Sequence, residues 1–252
     1  HRDLHSFPTR RSSDLPVYAA MVQSVDESVA KVNQTLEELG LSENTILIFF
    51  SDNGGHGTYT CQRPLRGGKG MFYEGGIREP MFVYWPGRVT PGSVCDVPVI
   101  STDFYPTFLD IAGINNPENY VLDGKSILPL LEGEKTIDRD KLFWHFPAYL
   151  EAYAGLKKDS RDTTFRTRPV SVIRKGDWKL LLFYEEWLLD GGQERIVENN
   201  SVELYNLGSD LSETKNLSDS EIAKRDELLD ELLQWLRDTE APIPSEFNPE
   251  FN

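Results

Sequence analysis

The sequence predicts an α/β fold that carries a small antiparallel sheet and a terminal helix in its C-terminal part. Three observations lead there. An amphipathic run from Tyr18 to Leu39 passes through a short link into an apolar stretch, Thr45 to Phe50, which is the pattern of an αβ unit. Val170 to Arg174 and Trp178 to Tyr184 flank Lys175-Gly176-Asp177, a hairpin signal. Glu221 to Arg237 then repeats apolar residues at helical spacing. Strands followed by a helix suit a sheet with one covered face.

The 252 residues suffice to bury a sizeable core in one large or two small domains. The net charge of −15 is uneven, because residues 184–252 carry 18 acidic and 5 basic side chains, whereas residues 1–183 carry 23 and 21. Acidity gathered in a C-terminal segment reads as a solvated surface and not as a field around a site. With no long basic stripe, nucleic-acid binding is excluded as the main function. No apolar run reaches transmembrane length. Cys61 and Cys95 permit one intramolecular disulfide and leave the redox compartment open.

Residues 1–15, HRDLHSFPTRRSSDL, have no usable period and resemble a translated adapter tract, so they are expected to be a non-native or disordered leader. An α/β domain is expected over 16–147 and a C-terminal subdomain over 148–252. Pro16 suits a helix start. Tyr18, Met21, Val22, Val25, Val29, Val32, Leu36 and Leu39 give that helix an apolar face, and Gly40 closes it. The continuous apolar run at 45–50 suits a strand covered on both faces. Met81 to Trp85 predicts a second strand and Val97 to Ile100 a third. Asp103 to Ala112 predicts a helix with Phe104, Phe108 and Ile111 on one side and Gly113 as its stop. Residues 114–141 are turn-rich apart from Ile127 to Leu131, Leu142 to Phe146 returns towards the site, and 148–168 read as a polar excursion. Val202 to Leu207 adds a strand, the inner side of the last helix carries Ile222, Leu228, Leu229, Leu232, Leu233 and Leu236, and prolines 242, 244 and 249 mark an extended tail.

The chemistry is concentrated at the end of the first strand. Ligand sites of open α/β sheets lie beyond the carboxyl ends of such strands. There Asp52 and Asn53 offer a carboxylate and an amide oxygen, donors that a hard cation accepts. They are also ordinary turn residues. The loop that follows, to Pro80, is long and glycine-rich, with Arg66, Lys69 and Arg78 as cations able to meet an oxyanion. A flexible surface loop with solvated charges is the alternative. GGKG lacks the spacing of a nucleotide P-loop. His145, between Trp144 and Phe146, reads either as a structural histidine or as a residue near the site.

On longer motifs the chain resembles the arylsulfatase type of sulfatase, in the alkaline-phosphatase-like superfamily. The resemblance runs over residues 16–240 through PVYAAMVQSVDESVAKVNQTLEELGL, IFFSDNGGHG, PLRGGKGMFYEGGIREPMFVYWPGRV, STDFYPTFLDIAG, GDWKLLLFYE and VELYNLGSDLSETKNL. It implies part of an α/β/α sheet and hydrolysis of a sulfate monoester of a sulfated carbohydrate or aryl compound. It implies Asp52 and Asn53 as ligands of a divalent cation, normally calcium, and Lys69 as the contact to the substrate sulfate. Glu74 and Arg78 are implied as structural supports, His56 and His145 as residues near the substrate-facing rim, and the location as secreted or periplasmic.

The family's nucleophile is a formylglycine hydrate made in a C/S-x-P-x-R motif. Neither Cys61, followed by Gln62-Arg63-Pro64, nor Cys95, followed by Asp96-Val97-Pro98, lies in one, and the one Ser-x-Pro-x-Arg spacing, Ser6-Phe7-Pro8-Thr9-Arg10, falls in the leader expected to be non-native. The family's first aspartate pair, second lysine and other histidines do not occur here either. The expectation is the C-terminal portion of a sulfatase, inactive by itself. A phosphatase or phosphodiesterase of the same superfamily is the enzymatic alternative. A non-catalytic carbohydrate-binding module, with Asp52 and Asn53 only shaping a turn, is the other.

Overall fold

In the computed structural model, which describes residues 15–118, 120–152, 159–162, 164–245 and 248, the elements follow in chain order. They begin with helix α1 (Pro16–Glu38), strand β1 (Leu47–Phe50), the single turn α2 (Glu74–Ile77) and strand β2 (Met81–Tyr84). Helices α3 (Phe104–Ile111) and α4 (Leu128–Leu131) precede strands β3 (Lys141–Phe146), β4 (Leu150–Glu151), β5 (Phe165–Thr167), β6 (Val170–Lys175) and β7 (Trp178–Phe183). Two short helices, α5 (Tyr184–Leu189) and α6 (Ile196–Asn199), lead to β8 (Val202–Asn206) and the long α7 (Ile222–Asp238). The leader residues 1–14 lie outside the described residues, as do 153–158 and 163 of the polar excursion. The chain forms two compact units, residues 16–50 with 80–140 and residues 51–79 with 141–252.

In the first unit, α1 ends as its glycine predicts. Gly40 adopts φ +67°, Gly40 N–H donates to Glu37 O at 3.0 Å and Leu41 N–H to Leu36 O at 2.8 Å, the pair of bonds that satisfies the last helical carbonyls. None of α1's residues is buried, so the apolar face that the spacing predicts is presented outward in this chain. β1 pairs antiparallel with β2 (Ile48 opposite Val83), and Phe49 and Phe50 are exposed. The expectation of a strand covered on both faces is corrected: Leu47 and Ile48 are only half-buried, and Phe50 stays exposed although the Phe104 ring lies 4.8 Å away. The third strand expected at 97–100 does not form either. Two of its backbone groups are taken up by side chains, with Ile100 N–H donating to Asp103 Oδ2 at 2.9 Å and Arg139 Nη2 to Pro98 O at 2.7 Å. Once those groups are satisfied a ladder has no claim on them.

The second unit is built on a four-stranded antiparallel sheet in the order β3-β6-β7-β8. The hairpin forms where Gly176 and Asp177 predict it, with Lys175 opposite Trp178 and Gly176 at φ +58°. Alternation along β7 sends its side chains to two different cores. Leu180 and Leu182 join Ile173, Val202 and Leu204 under the apolar stripe of α7, namely Leu228, Leu229, Leu232 and Leu236. Ile222, which the spacing placed on the inner side, is 51% exposed because it opens the helix beyond the edge of that stripe. On the other face Leu181 and Phe183 join Val170, Val172, Tyr205 and Leu207, and these meet Met71 and Tyr73 from the glycine-rich loop. The sheet therefore has α7 on one side and the loop that bears the candidate residues on the other.

Candidate active site

The loop from Ser51 to Glu79 is held closed by its glycines. Gly54 N–H donates to Gly76 O at 3.0 Å, Gly75 N–H to Arg66 O at 2.7 Å, and Lys69 N–H to Gly55 O at 3.0 Å. These bonds knit the Asp52-Asn53 turn to the segment of Lys69 and to α2. The fit allows no side chain at three points. A Cβ on Gly54 would lie 2.1 Å from Gly75 O, one on Gly75 2.5 Å from Arg66 O, and one on Gly76 2.1 Å from Met71 O. Of the two readings of this loop, a free surface excursion does not describe it.

Beneath the loop is a layer of buried charge. Glu74 is 1% exposed, and its Oε1 accepts from Lys179 Nζ at 3.0 Å. Lys179, fully buried on β7, also lies 2.8 Å from Glu213 Oε1, and Glu213 Oε2 accepts the Glu74 N–H at 2.6 Å. Arg78 and Arg174 each bring a guanidinium nitrogen to 3.7 Å from Glu74 Oε2. Burial raises the Glu213 carboxyl above the usual carboxylate range, against the pull of Lys179. Beside this cluster, Tyr73 and Tyr205 both donate to Glu203 Oε2, at 2.8 and 2.9 Å, while the Arg66 guanidinium lies 3.7 Å over the Tyr73 ring. Burial, and after it the Glu203 charge, push the Tyr73 phenol well above its ordinary value, so it remains a donor.

The predicted residues fall in distinct places. Asp52 and Lys69 are exposed, and Asn53 is half-buried with its backbone carbonyl accepting from Ser51 Oγ at 3.0 Å. Close to Asp52 is Glu79, whose Oε1 is buried without a hydrogen-bond partner. Its carboxyl is raised by burial, against the pull of a hydrogen bond from Ser51, and further by the Asp52 charge. Such crowding of negative charge suits a cation, and a carboxylate with an amide oxygen is the donor chemistry of calcium. The donors fit such an ion in kind. Among the described residues no three His, Cys, Asp or Glu side chains gather to hold a metal ion.

His56 Nδ1 accepts the Thr58 N–H at 3.3 Å, and its ring lies 5.2 Å from that of Tyr59. His145 has both ring nitrogens engaged, Nδ1 with Ser171 Oγ at 2.7 Å and Nε2 with Pro242 O at 2.8 Å. Ser171 Oγ in turn contacts Tyr184 Oη at 2.8 Å, so His145 ties β3 and β6 to the segment after α7. This is the geometry of a structural histidine. Glu74 anchors α2 from below, and Arg78, half-exposed, pairs with it. Both cysteines are exposed and neither forms a disulfide.

Sequence reasoning passed over Lys179, Glu213 and Asp103. A signal existed for the first, since period-2 alternation puts Lys179 in phase with Leu181 and Phe183 on an apolar face. The sequence marks Asp103 only as the start of a helix. It is fully buried, accepting from Ile100 N–H and Lys125 N–H at 2.9 Å each and pairing with Arg139 at 2.5 Å.

Comparison with known proteins gives this loop and sheet a context. The family described as "Sulfatase" matches residues 3–114, and the one described as "N-sulphoglucosamine sulphohydrolase, C-terminal" matches residues 67–241. The chain belongs to the sulfatase family. A "Sulfatase" of Formosa agariphila is 40% identical over 218 residues, covering 79% of this chain and 35% of that protein. An "Uncharacterized sulfatase YdeN" of Escherichia coli is 30% identical, covering 92% of this chain and 42% of its own length. Among solved structures, Ps i-CgsB in complex with k-i-k-neocarrahexaose superposes at a TM-score of 0.69 and 29% identity, covering 92% of this chain and 45% of that one. BT4656 in complex with its substrate D-glucosamine-2-N,6-O-disulfate superposes at 0.61 and 28%, covering 88% and 39%. This sulfatase-family chain thus spans less than half the length of each of these relatives. Its mixed fold, an antiparallel sheet with flanking helices, is the one these structures share with it. Among its described residues no helix is long and apolar enough to cross a membrane.

Proposed function

We propose that this chain is the C-terminal portion of a sulfuric ester hydrolase acting on a sulfated carbohydrate, and that its part is to bind a divalent cation and the substrate sulfate. The observation that carries the reading is the closed loop, in which Lys69 N–H donates to Gly55 O at 3.0 Å and holds the lysine segment against the Asp52-Asn53 turn. Asp52 and Asn53 would give oxygen ligands to calcium, and Lys69 would meet a sulfuryl oxygen as an exposed cation. When bound, the cation supplies a positive centre for charge developing on those oxygens. Lys69 adds a countercharge, Glu79 keeps the turn electronegative, and the glycine contacts limit reorganisation of the backbone that carries them. The carbohydrate class is supported by the sulfated sugar bound as substrate in BT4656. The nucleophile, a formylglycine, would come from sequence other than residues 16–252, because no C/S-x-P-x-R occurs within them and the Ser6-Phe7-Pro8-Thr9-Arg10 spacing belongs to the leader. A secreted or periplasmic location belongs to the same reading.

The test uses the full-length enzyme that carries this sequence. With 4-nitrophenyl sulfate and sulfated oligosaccharides as substrates, Lys69→Ala should lower kcat/KM by roughly 100- to 1,000-fold, and the 252-residue chain alone should give no turnover. Unchanged kinetics in Lys69→Ala would remove that residue from the reading. Turnover by the isolated chain that Lys69→Ala abolishes would overturn the assignment of the nucleophile to another segment.

A further inference from the structure

We infer that the buried Lys179–Glu74–Glu213 cluster is the positioning device of the sulfate- and cation-binding loop, with Lys179 and Glu213 as positioning residues. The inference rests on the function proposed above and assigns roles to two residues distant from the loop in sequence. Three buried charged groups are a poor way to stabilise a fold, since an apolar cluster of similar volume serves as well or better. They do fix geometry, because each contact is directional and a displaced partner leaves a charge uncompensated in the core.

The contacts lead straight to the candidate residues. Lys179 stands on β7, opposite Arg174 of β6 and Tyr205 of β8, at the centre of the sheet. From there its Nζ reaches Glu74 Oε1 at 3.0 Å and Glu213 Oε1 at 2.8 Å. Glu213 then holds the loop at two points: its Oε2 accepts the Glu74 N–H at 2.6 Å and its backbone carbonyl accepts from Arg66 Nη1 at 3.2 Å. Arg66 O receives the Gly75 N–H, Gly76 O receives the Gly54 N–H, and Gly54 adjoins Asn53. The aim of Glu213 is set with some strain, at φ +51°, which is rare outside glycine. Asp210 supports that turn by accepting from Thr214 N–H at 2.8 Å and Lys215 N–H at 2.9 Å.

The experiment compares Lys179→Met, Lys179→Arg, Glu213→Gln, Lys69→Ala and Leu232→Ala in the full-length enzyme, titrated with inorganic sulfate by calorimetry and assayed for kcat and KM. Leu232, on α7, packs against the opposite face of the same sheet, so it is the control for destabilisation alone. In enzyme that remains folded, Lys179→Met and Glu213→Gln should weaken sulfate binding and lower kcat by about 10- to 100-fold. Lys179→Arg should recover part of the loss, and Leu232→Ala should leave both quantities unchanged. Should Lys179→Met fail to fold, the isosteric Glu213→Gln carries the same test. Loss in Lys69→Ala with wild-type values in Glu213→Gln overturns the positioning role and leaves the proposed function intact. Equal loss in Leu232→Ala and Glu213→Gln also overturns it, as the effect would then be loss of stability. No effect of Lys69→Ala removes the function on which the inference stands.

Discussion

Gly54→Ala is the smallest change that probes the closed loop. An added Cβ would lie 2.1 Å from Gly75 O and 2.7 Å from Gly76 Cα, both backbone atoms with no rotamer to give way. Ordinary contact begins near 3.4 Å, so the turn must move by roughly 1.3 Å. That displacement also stretches the Gly54 N–H bond to Gly76 O, now 3.0 Å. Overpacking of this kind costs about 1–3 kcal/mol and the lost hydrogen bond about 1 kcal/mol, which together predict a destabilisation of about 2–4 kcal/mol. Gly40→Ala is the comparison. Nothing lies within 4 Å of its Cβ position, and only its φ of +67° is penalised, at about 1 kcal/mol. The assay is urea unfolding of both variants beside the parent chain, with inorganic sulfate affinity in the full-length enzyme as a second readout. Gly54→Ala should be the less stable and should bind sulfate at least tenfold more weakly, as an ångström of misplacement is enough for that. Gly54→Ala within about 0.5 kcal/mol of Gly40→Ala, with unchanged sulfate binding, would refute the closed-loop argument.

The other predictions concern the C-terminal sheet. Leu232→Ala removes a fully buried side chain from the core under α7 and should cost about 2–5 kcal/mol in denaturant unfolding. The Glu185 carboxyl is pushed up to about 7 by burial, with Glu186 adding to it, and its Oε2 has no hydrogen-bond partner. Between its ordinary 4.5 and about 7 the folded chain holds a proton that the unfolded chain has released, so this group's contribution to stability falls as pH rises through that window. Glu185→Gln should therefore gain on the parent chain at pH 8 by on the order of 1 kcal/mol, less than the full shift because solvent screens part of it, and should match it near pH 4. Unfolding curves measured at both pH values check this.

Much of the architecture was legible because it is local. The end of α1 is specified by Gly40, and the β6–β7 hairpin by two turn residues between apolar runs. The inner face of α7 follows from spacing that Leu228, Leu229, Leu232 and Leu236 obey. In the strand expected at 97–100, the Ile100 N–H is taken locally by Asp103, three residues on, and the Pro98 carbonyl by Arg139, 41 residues away. The burial expected of α1 and β1 failed because an apolar pattern states which face is apolar and not what covers it. His145 was ambiguous in sequence because its partners, Ser171 and Pro242, are 26 and 97 residues away.

By itself the sequence determined the family, strands β6, β7 and β8 with helix α7, and the residue types at the strand end, because motifs and periodicities are properties of neighbouring residues. Only the tertiary structure decided that the glycine-rich loop packs on that distant sheet. It alone placed Lys179 and Glu213 beneath Glu74, 105 and 139 residues along the chain. A lysine within an apolar strand and a glutamate within a polar turn carry no local mark of each other. Their pairing follows from burial, which requires each charge to find its partners within the core.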